Sequence, residues 1–173
     1  KTDITYNDLH KAMTRTINVT DPHTGLKTTK VTLNYERTAT IDDVTGKVTY
    51  GNWTVAEGSK AGFDGFNVPA VPGYTSEIKS GSADDLKALT PSQDQITNWT
   101  DQTVDIEYKA NEQAGAITYV DEKGNQISST PLTGKTDDNV TINPVAPAGW
   151  KIIDGQQIPT TVKATANGIQ GPS

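Results

Sequence analysis

Ala116-Ile117-Thr118-Tyr119-Val120-Asp121-Glu122-Lys123-Gly124-Asn125-Gln126-Ile127 reads as strand, tight turn, strand. Apolar and β-branched residues run to Val120, Asp121 can then bond its own backbone, and Gly124 supplies the positive φ of a tight connection. Further on, Pro144-Val145-Ala146-Pro147-Ala148-Gly149-Trp150 breaks regular pairing and restarts it at an aromatic. Both phrases occur earlier in the chain. Thr16-Ile17-Asn18-Val19-Thr20-Asp21-Pro22-His23-Thr24-Gly25 is the hairpin, and Pro69-Ala70-Val71-Pro72-Gly73-Tyr74 is the proline-glycine-aromatic phrase. The same pair of phrases in the same order, twice, is a degenerate tandem repeat. The chain therefore reads as two related modules, 1–110 and 111–173.

Composition agrees with small, β-rich modules. Apolar residues make up 33% of the 173, which gives each module a thin core and suits an elongated molecule. Disorder is excluded by pattern, because β-branched residues alternate in several segments. Threonine outnumbers serine by 27 to 8, and threonine favours the half-exposed surface of a sheet. A net charge of −6 without any basic cluster argues against nucleic acid and anionic membranes as partners. No apolar run reaches the length that spans a bilayer, and no signal peptide is visible. Cysteine is absent, which removes disulfides and thiolate metal sites. A cysteine-free, threonine-rich, acidic β chain fits a Gram-positive bacterial surface better than a disulfide-stapled animal domain.

Taken in order, Lys1–Met13 reads as a lead-in, with Asp3–Tyr6 as a short strand and Asp8–Met13 as one helical turn. Ile17 and Val19, then Val31, Leu33 and Tyr35, keep the period of two expected of paired strands. Residues 37–56 have no counterpart in the second module and read as an inserted hairpin turning at Asp43–Gly46. Ser82–Leu89 is the one helix predicted: Ser82 caps, Asp84 and Asp85 suit the first turn, and Leu86 and Leu89 share a face. Val104, Ile106 and Tyr108 close the first module, and Ala110–Gly115 reads as a linker. No closing strand is legible after Trp150, so the second module is expected to be truncated or closed differently. Two hairpins, a short helix and a closing strand describe a β-rich α+β fold of two tandem ubiquitin-like β-grasp modules with few short helices.

Chemistry-bearing groups are sparse. The only histidines are His10 and His23, and neither a Gly-x-Ser-x-Gly nor a His-Glu-x-x-His phrase occurs, so the chain does not read as an enzyme. No cofactor is required. Of the acidic pairs, Asp42-Asp43, Asp84-Asp85 and Asp121-Glu122 have turn or helix-start duties. That leaves Asp137, Asp138 and Asn139 as the candidate ligands of a structural calcium ion. Lys47, Lys109 and Lys135 lie near strands, where exposed edge lysines guard against aggregation. Binding falls to the aromatics, since flat Trp and Tyr faces stack on sugar rings. The candidates are Trp53, Tyr74, Trp99, Tyr119 and Trp150, each of which taken singly reads first as a core residue. Tyr74 and Trp150 occupy equivalent places and are expected to pack in each core, leaving Trp53 and Trp99 freer.

At these residues the chain resembles the mucus-binding (Mub, or MucBP) repeats of adhesins from lactobacilli and related bacteria. Ile117–Asn125 matches the Tyr-Val-Asp-x-x-Gly opening, Leu132-Thr133-Gly134-Lys135 the middle, and Pro147-Ala148-Gly149-Trp150 the Pro-Gly-aromatic phrase with one extra residue. Arg15–Gly25 and Gly46–Trp53 resemble the N-terminal half of the longer repeat type. The resemblance implies a repeat of a cell-wall-anchored adhesin on the bacterial surface. Its partners would be host mucin glycoproteins, whose glycans are bound weakly and many times over beside neighbouring repeats of the same chain. Two rival roles are an immunoglobulin-binding module that pairs through an edge strand, and a spacer that binds nothing.

Overall fold

The computed structural model describes residues 3–173. The first two residues of the lead-in lie outside the described residues. A helical turn, α1 (Tyr6–Leu9), is followed by β1 (His10–Asp21), β2 (Gly25–Glu36), β3 (Ala39–Ile41), β4 (Val48–Tyr50), β5 (Thr54–Val55) and β6 (Tyr74–Ser80). A single 3-10 turn (Ala83–Leu86) and α2 (Gln93–Thr97) lead into β7 (Gln102–Ala110). The second half contains β8 (Glu112–Val120), β9 (Gln126–Lys135), β10 (Asn139–Thr141), β11 (Thr161–Thr165) and β12 (Gly168–Ile169). No described helix is long and apolar enough to cross a membrane.

Two compact units result: Lys1–Pro69 with Glu77–Glu107, and Ala70–Ser76 with Tyr108–Ser173. Their sheets run β5-β2-β1-β7-β6 and β10-β11-β12-β8-β9. In each, a hairpin opens the sheet and the last strand returns parallel to the first, beside it: β7 along β1, and β12 along β8. That order is the β-grasp arrangement, present twice. A hairpin needs only a tight turn, whereas the parallel return needs a crossover. Everything between β2 and β7, and between β9 and β12, is that crossover.

In the first unit β1 buries every second residue, Met13, Arg15, Ile17 and Val19. The core gathers Met13, Leu33, Tyr35, Trp53, Phe63 and Ile96, with Val31, Leu89 and Trp99 packed against it. Arg15 is the exception in an apolar row. Its guanidinium bonds Gln102 Oε1 at 2.9 Å and the Lys87 carbonyl at 2.6 Å, and lies 4.5 Å from the Phe63 ring centre. Those partners satisfy a cation that would otherwise be expensive to bury. The inserted hairpin is present as β3 and β4, its turn held by Asp42, whose Oδ1 takes the N–H groups of Val44 and Thr45, both at 2.8 Å.

Several expectations need correction. The lead-in reverses the expected order: Thr5 and Asp8 form a capping box that starts α1, and the strand begins at His10. The helix predicted at 82–89 is one 3-10 turn capped by Ser82. The true short helix is α2, started by a Ser92–Gln95 capping box and anchored by Ile96. No linker occupies 110–115. Only Asn111 separates β7 from β8, and Glu112–Gly115 pair with Leu132–Lys135. Locally weak β-formers are held there by cross-strand pairing. The second unit does have a closing strand, β12, reduced to two residues.

Candidate functional site

The proline-glycine-aromatic phrase makes the same turn twice. Tyr74 N–H donates to the Val71 carbonyl at 3.0 Å and Trp150 N–H to that of Pro147 at 3.0 Å, with Gly73 at φ 81° and Gly149 at φ 84°. A positive φ at the third position is why glycine stands there. The outcomes diverge. Tyr74 begins β6, half-buried, with its hydroxyl donating to Asp137 Oδ2 at 2.5 Å. Trp150 begins no strand and is 52% exposed, against the expectation that it restarts pairing and packs in a core.

Trp150 instead sits on an irregular stretch, residues 142–160, that spans from β10 to β11. Its base is tied by Ile142 N–H to the Thr160 carbonyl at 2.9 Å, and its middle is pinned by Val145 N–H to the Tyr119 hydroxyl at 3.0 Å. Irregular connections this long in a compact unit usually carry function. Beneath it lies a groove with a cavity volume of about 140 Å³. Ile117, Tyr119 and Ile127 from the β8–β9 hairpin form one wall, and Pro144, Pro147, Trp150 and Ile153 another. Thr118, Asp121, Lys151, Gln156 and Ser173 supply the polar edge. Val145 at 69%, Ile153 at 64% and Trp150 at 52% exposure leave an apolar lip open to solvent.

Such a groove suits non-covalent recognition: an aromatic face for a ring or aliphatic surface, with hydrogen-bonding groups at the margin. Asp121 Oδ1 accepts the N–H groups of Asn125 and Lys123, both at 2.9 Å, and those bonds hold its carboxyl below the usual range. A carboxylate so stabilised is a poor proton donor near neutrality.

The other aromatic candidates divide differently from expectation. Trp53, read as freer of packing duty than Tyr74 and Trp150, is a core residue, 7% exposed. Its indole N–H donates to Thr97 Oγ1 at 3.0 Å, Gln93 bridges its backbone N–H and carbonyl at 2.7 and 3.0 Å, and the Arg37 guanidinium lies 4.3 Å from its ring centre. Helix α2, illegible in the sequence, supplies both Gln93 and Thr97. Trp99 is half-buried, stacked on Phe63 at 5.6 Å with its N–H on Asp101. Of the five aromatic candidates, Tyr119 and Trp150 line the groove. Their companions Ile152, Ile153 and Ile158 sit in a stretch without periodicity. Their signal was apolar residues in a segment too irregular to be core.

The acidic cluster has structural work. Asp137, at φ 74°, accepts the Tyr74 hydroxyl and lies 3.9 Å from Lys163 Nζ, while Asp138 Oδ2 takes Lys135 N–H at 3.0 Å. Asn139 opens β10 opposite Lys163. Among the described residues no group of three or more His, Asp or Glu side chains is placed to hold a metal. Lys47, Lys109 and Lys135 are all exposed.

The family model of the Muc B2-like domain matches residues 4–112. The chain belongs to the Muc B2-like domain family. The match covers the first unit from residue 4 together with residues 70–76 and 108–112 of the second, whereas the Tyr-Val-Asp-x-x-Gly phrase at 119–124 lies beyond it. Among solved structures, the MucBP domain of the adhesion protein from Pediococcus pentosaceus is 29% identical, covering 58% of this chain and 98% of that one at a TM-score of 0.36. Mub-RV is 27% identical, over 59% of this chain and 53% of its own, at a TM-score of 0.41. The mucin-binding domain of Spr1345 from Streptococcus pneumoniae is 24% identical, over 58% and 91%, at a TM-score of 0.35. No curated protein matches. Strand order and register, rather than these superpositions, carry the fold assignment of this Muc B2-like chain.

Proposed function

We propose that this chain is a repeat of a bacterial cell-surface adhesin that holds mucin-type glycoproteins without covalent chemistry, through the Trp150 groove of its second unit. Family membership and the resemblance of the Ile117–Asn125 and Pro147–Trp150 phrases support the adhesin reading. The observation that carries the site is a half-exposed tryptophan on the lip of an apolar groove, in a unit whose remaining aromatic groove residue, Tyr119, is committed to pinning the loop. One shallow groove gives weak binding, and repetition along a wall-anchored chain raises it by effective concentration. Trp150→Ala should weaken binding to immobilised mucin roughly tenfold or more, as loss of an aromatic anchor does, while shifting unfolding stability by no more than about 0.5 kcal/mol. Glycosidase treatment of the mucin should weaken wild-type binding as well. Unchanged binding by Trp150→Ala would remove the groove from the account.

The immunoglobulin reading draws on a different feature. Beyond Tyr35 and Glu36, which pair with Val55 and Thr54 of β5, β2 has no strand on its outer side among the described residues. Open strand edges are where a partner's backbone can add. Binding of purified antibody that survives Trp150→Ala and ignores deglycosylation would favour that edge over the groove, and no binding by any copy number would leave a spacer.

A further inference from the structure

The tip of the β1–β2 hairpin, Asp21-Pro22-His23-Thr24-Gly25, brings a carboxylate, a tertiary amide and an imidazole together at one exposed turn. Asp21 closes β1 opposite Gly25, and its Oδ1 accepts the N–H of His23 at 2.7 Å and of Thr24 at 3.0 Å. That Asx geometry folds the side chain over its own turn. Both backbone bonds fall on Oδ1, and the Thr24 side chain adds a further hydrogen bond to the carboxylate. The next peptide nitrogen belongs to proline, carries no hydrogen and departs as a secondary amine. His23 Nδ1 lies 3.9 Å from Asp21 Oδ1.

We propose that the Asp21–Pro22 peptide bond is a self-cleavage site in mildly acid solution. Oδ2 of the ionised Asp21 adds to the Asp21 carbonyl carbon and closes a five-membered ring. The bond to the Pro22 nitrogen breaks, and that nitrogen leaves with one proton taken from the His23 imidazolium or from solvent. A cyclic anhydride remains on Asp21. One water opens it, restoring the side-chain carboxyl and creating a C-terminal one. The balance is one water added across one peptide bond, with no oxidant, metal or cofactor.

Two titrations bound the reaction. The leaving nitrogen needs a proton, which becomes more available as the pH falls. The nucleophile needs an ionised carboxyl, and the N–H bonds from His23 and Thr24 hold Asp21 below its ordinary value, so it stays competent further into acid. The rate therefore follows a bell against pH. Other charges near the turn are Lys27, opposite Val19 on β2, and Lys79 and Glu107, which line the shallow depression beside Thr20 and Leu26. Lys79 is paired with Glu77 at 3.0 Å, and lysines stay charged throughout this range. After cleavage the halves stay joined, because β1 and β2 remain paired from His10↔Glu36 to Asp21↔Gly25. The cut is thus invisible to a native measurement.

The test is a pH series from about 3 to about 8, read by intact mass and fragment mass under denaturing conditions, with glycinamide added in one arm. The expected result is two fragments, 1–21 and 22–173, a bell-shaped rate, and a glycinamide adduct on the fragment ending at Asp21, which traps the anhydride. The folded chain should cleave roughly tenfold faster than the same chain in urea, because the His23 and Thr24 N–H bonds fix the Asp21 side chain against its own turn. Pro22→Ala keeps the carboxylate and its turn yet should slow cleavage by about tenfold or more, as should Asp21→Asn. An intact chain throughout, equal cleavage of Asp21→Asn, or equal rates in folded and urea-unfolded chains would each overturn the proposal.

Discussion

The two units close their sheets with very unequal strands. In the first, β7 runs beside β1 through five pairs, from Arg15↔Gln102 to Val19↔Ile106, and buries Val104 and Ile106 almost completely. In the second, β12 touches β8 through one pair, Ile169↔Gly115. The first holds its return strand by length and side-chain burial. The second does so by close backbone approach, since a Cβ on Gly115 would collide with the Ile169 carbonyl and one on Gly171 with that of Ala116. The crossovers differ in the same sense: α2 and its capped start cover the first core, whereas an irregular loop covers the second and leaves a groove. The groove and the thin closure occur together in the second unit.

Gly115→Val is the severest way to break this contrast. The branched side chain would have to displace the Ile169 backbone, and with it the only parallel pair in the second sheet. Loss of more than about 4 kcal/mol, enough to abolish cooperative folding of that unit, is expected. Trp150 fluorescence and hydrogen exchange in β8 report on it, while Trp53 and Trp99 report on the first unit. A second unit that still melts cooperatively near wild type would show that β12 is dispensable.

Trp53→Ala should cost the first unit roughly 3–5 kcal/mol, because it empties a core position and orphans the Thr97 hydroxyl contact. Urea unfolding and exchange of the α2 amides measure it. Set beside the small stability effect expected for Trp150→Ala, it separates the tryptophan that builds a core from the one that lies half-exposed on the groove.

Acid acts on both units through their turns. Asp21 and Asp42 in the first and Asp121 in the second each accept backbone N–H bonds, which hold their carboxyls below the ordinary value of 3.8. A carboxyl lowered by folding contributes stability that is complete above 3.8 and lost as the pH falls from there through the lowered values. Melting temperature should therefore decline below about pH 4, and Asp121→Asn should flatten that decline in the second unit alone. A flat acid limb in the wild type would mean that these turns contribute nothing through charge.

How much of this was legible follows the same contrast. The hairpins could be read because Ile17, Val19, Val31, Leu33 and Tyr35 alternate and Asp–Gly turns separate the runs. Strand β7 could be read for the same reason. Strand β12 could not, since two residues have no period and Gly115 shows its role only once Ile169 lies against it. Helix α2 was hidden because its sole buried residue is Ile96, and a five-residue helix has no stripe. The groove was half legible. Trp150 stood out as a candidate, but equivalence with Tyr74 suggested a core role that the long loop between β10 and β11 undoes.

The smallest effect concerns Asp137, Asp138 and Asn139, whose oxygens suggested calcium. A bound calcium ion takes several oxygens at once from a bent loop, and each must give up its other partners. Here the Asp137 carboxylate receives the Tyr74 hydroxyl and faces Lys163, and the Asp138 carboxylate receives Lys135 N–H. Recruiting them would break the bonds that orient the β9–β10 turn, and Lys163 would repel the arriving cation. Melting of the second unit should therefore be the same with excess calcium and with chelator. A shift on adding calcium, lost in Asp138→Asn, would show that this turn rearranges to coordinate the ion and that the second unit's thin closure has a metal to support it.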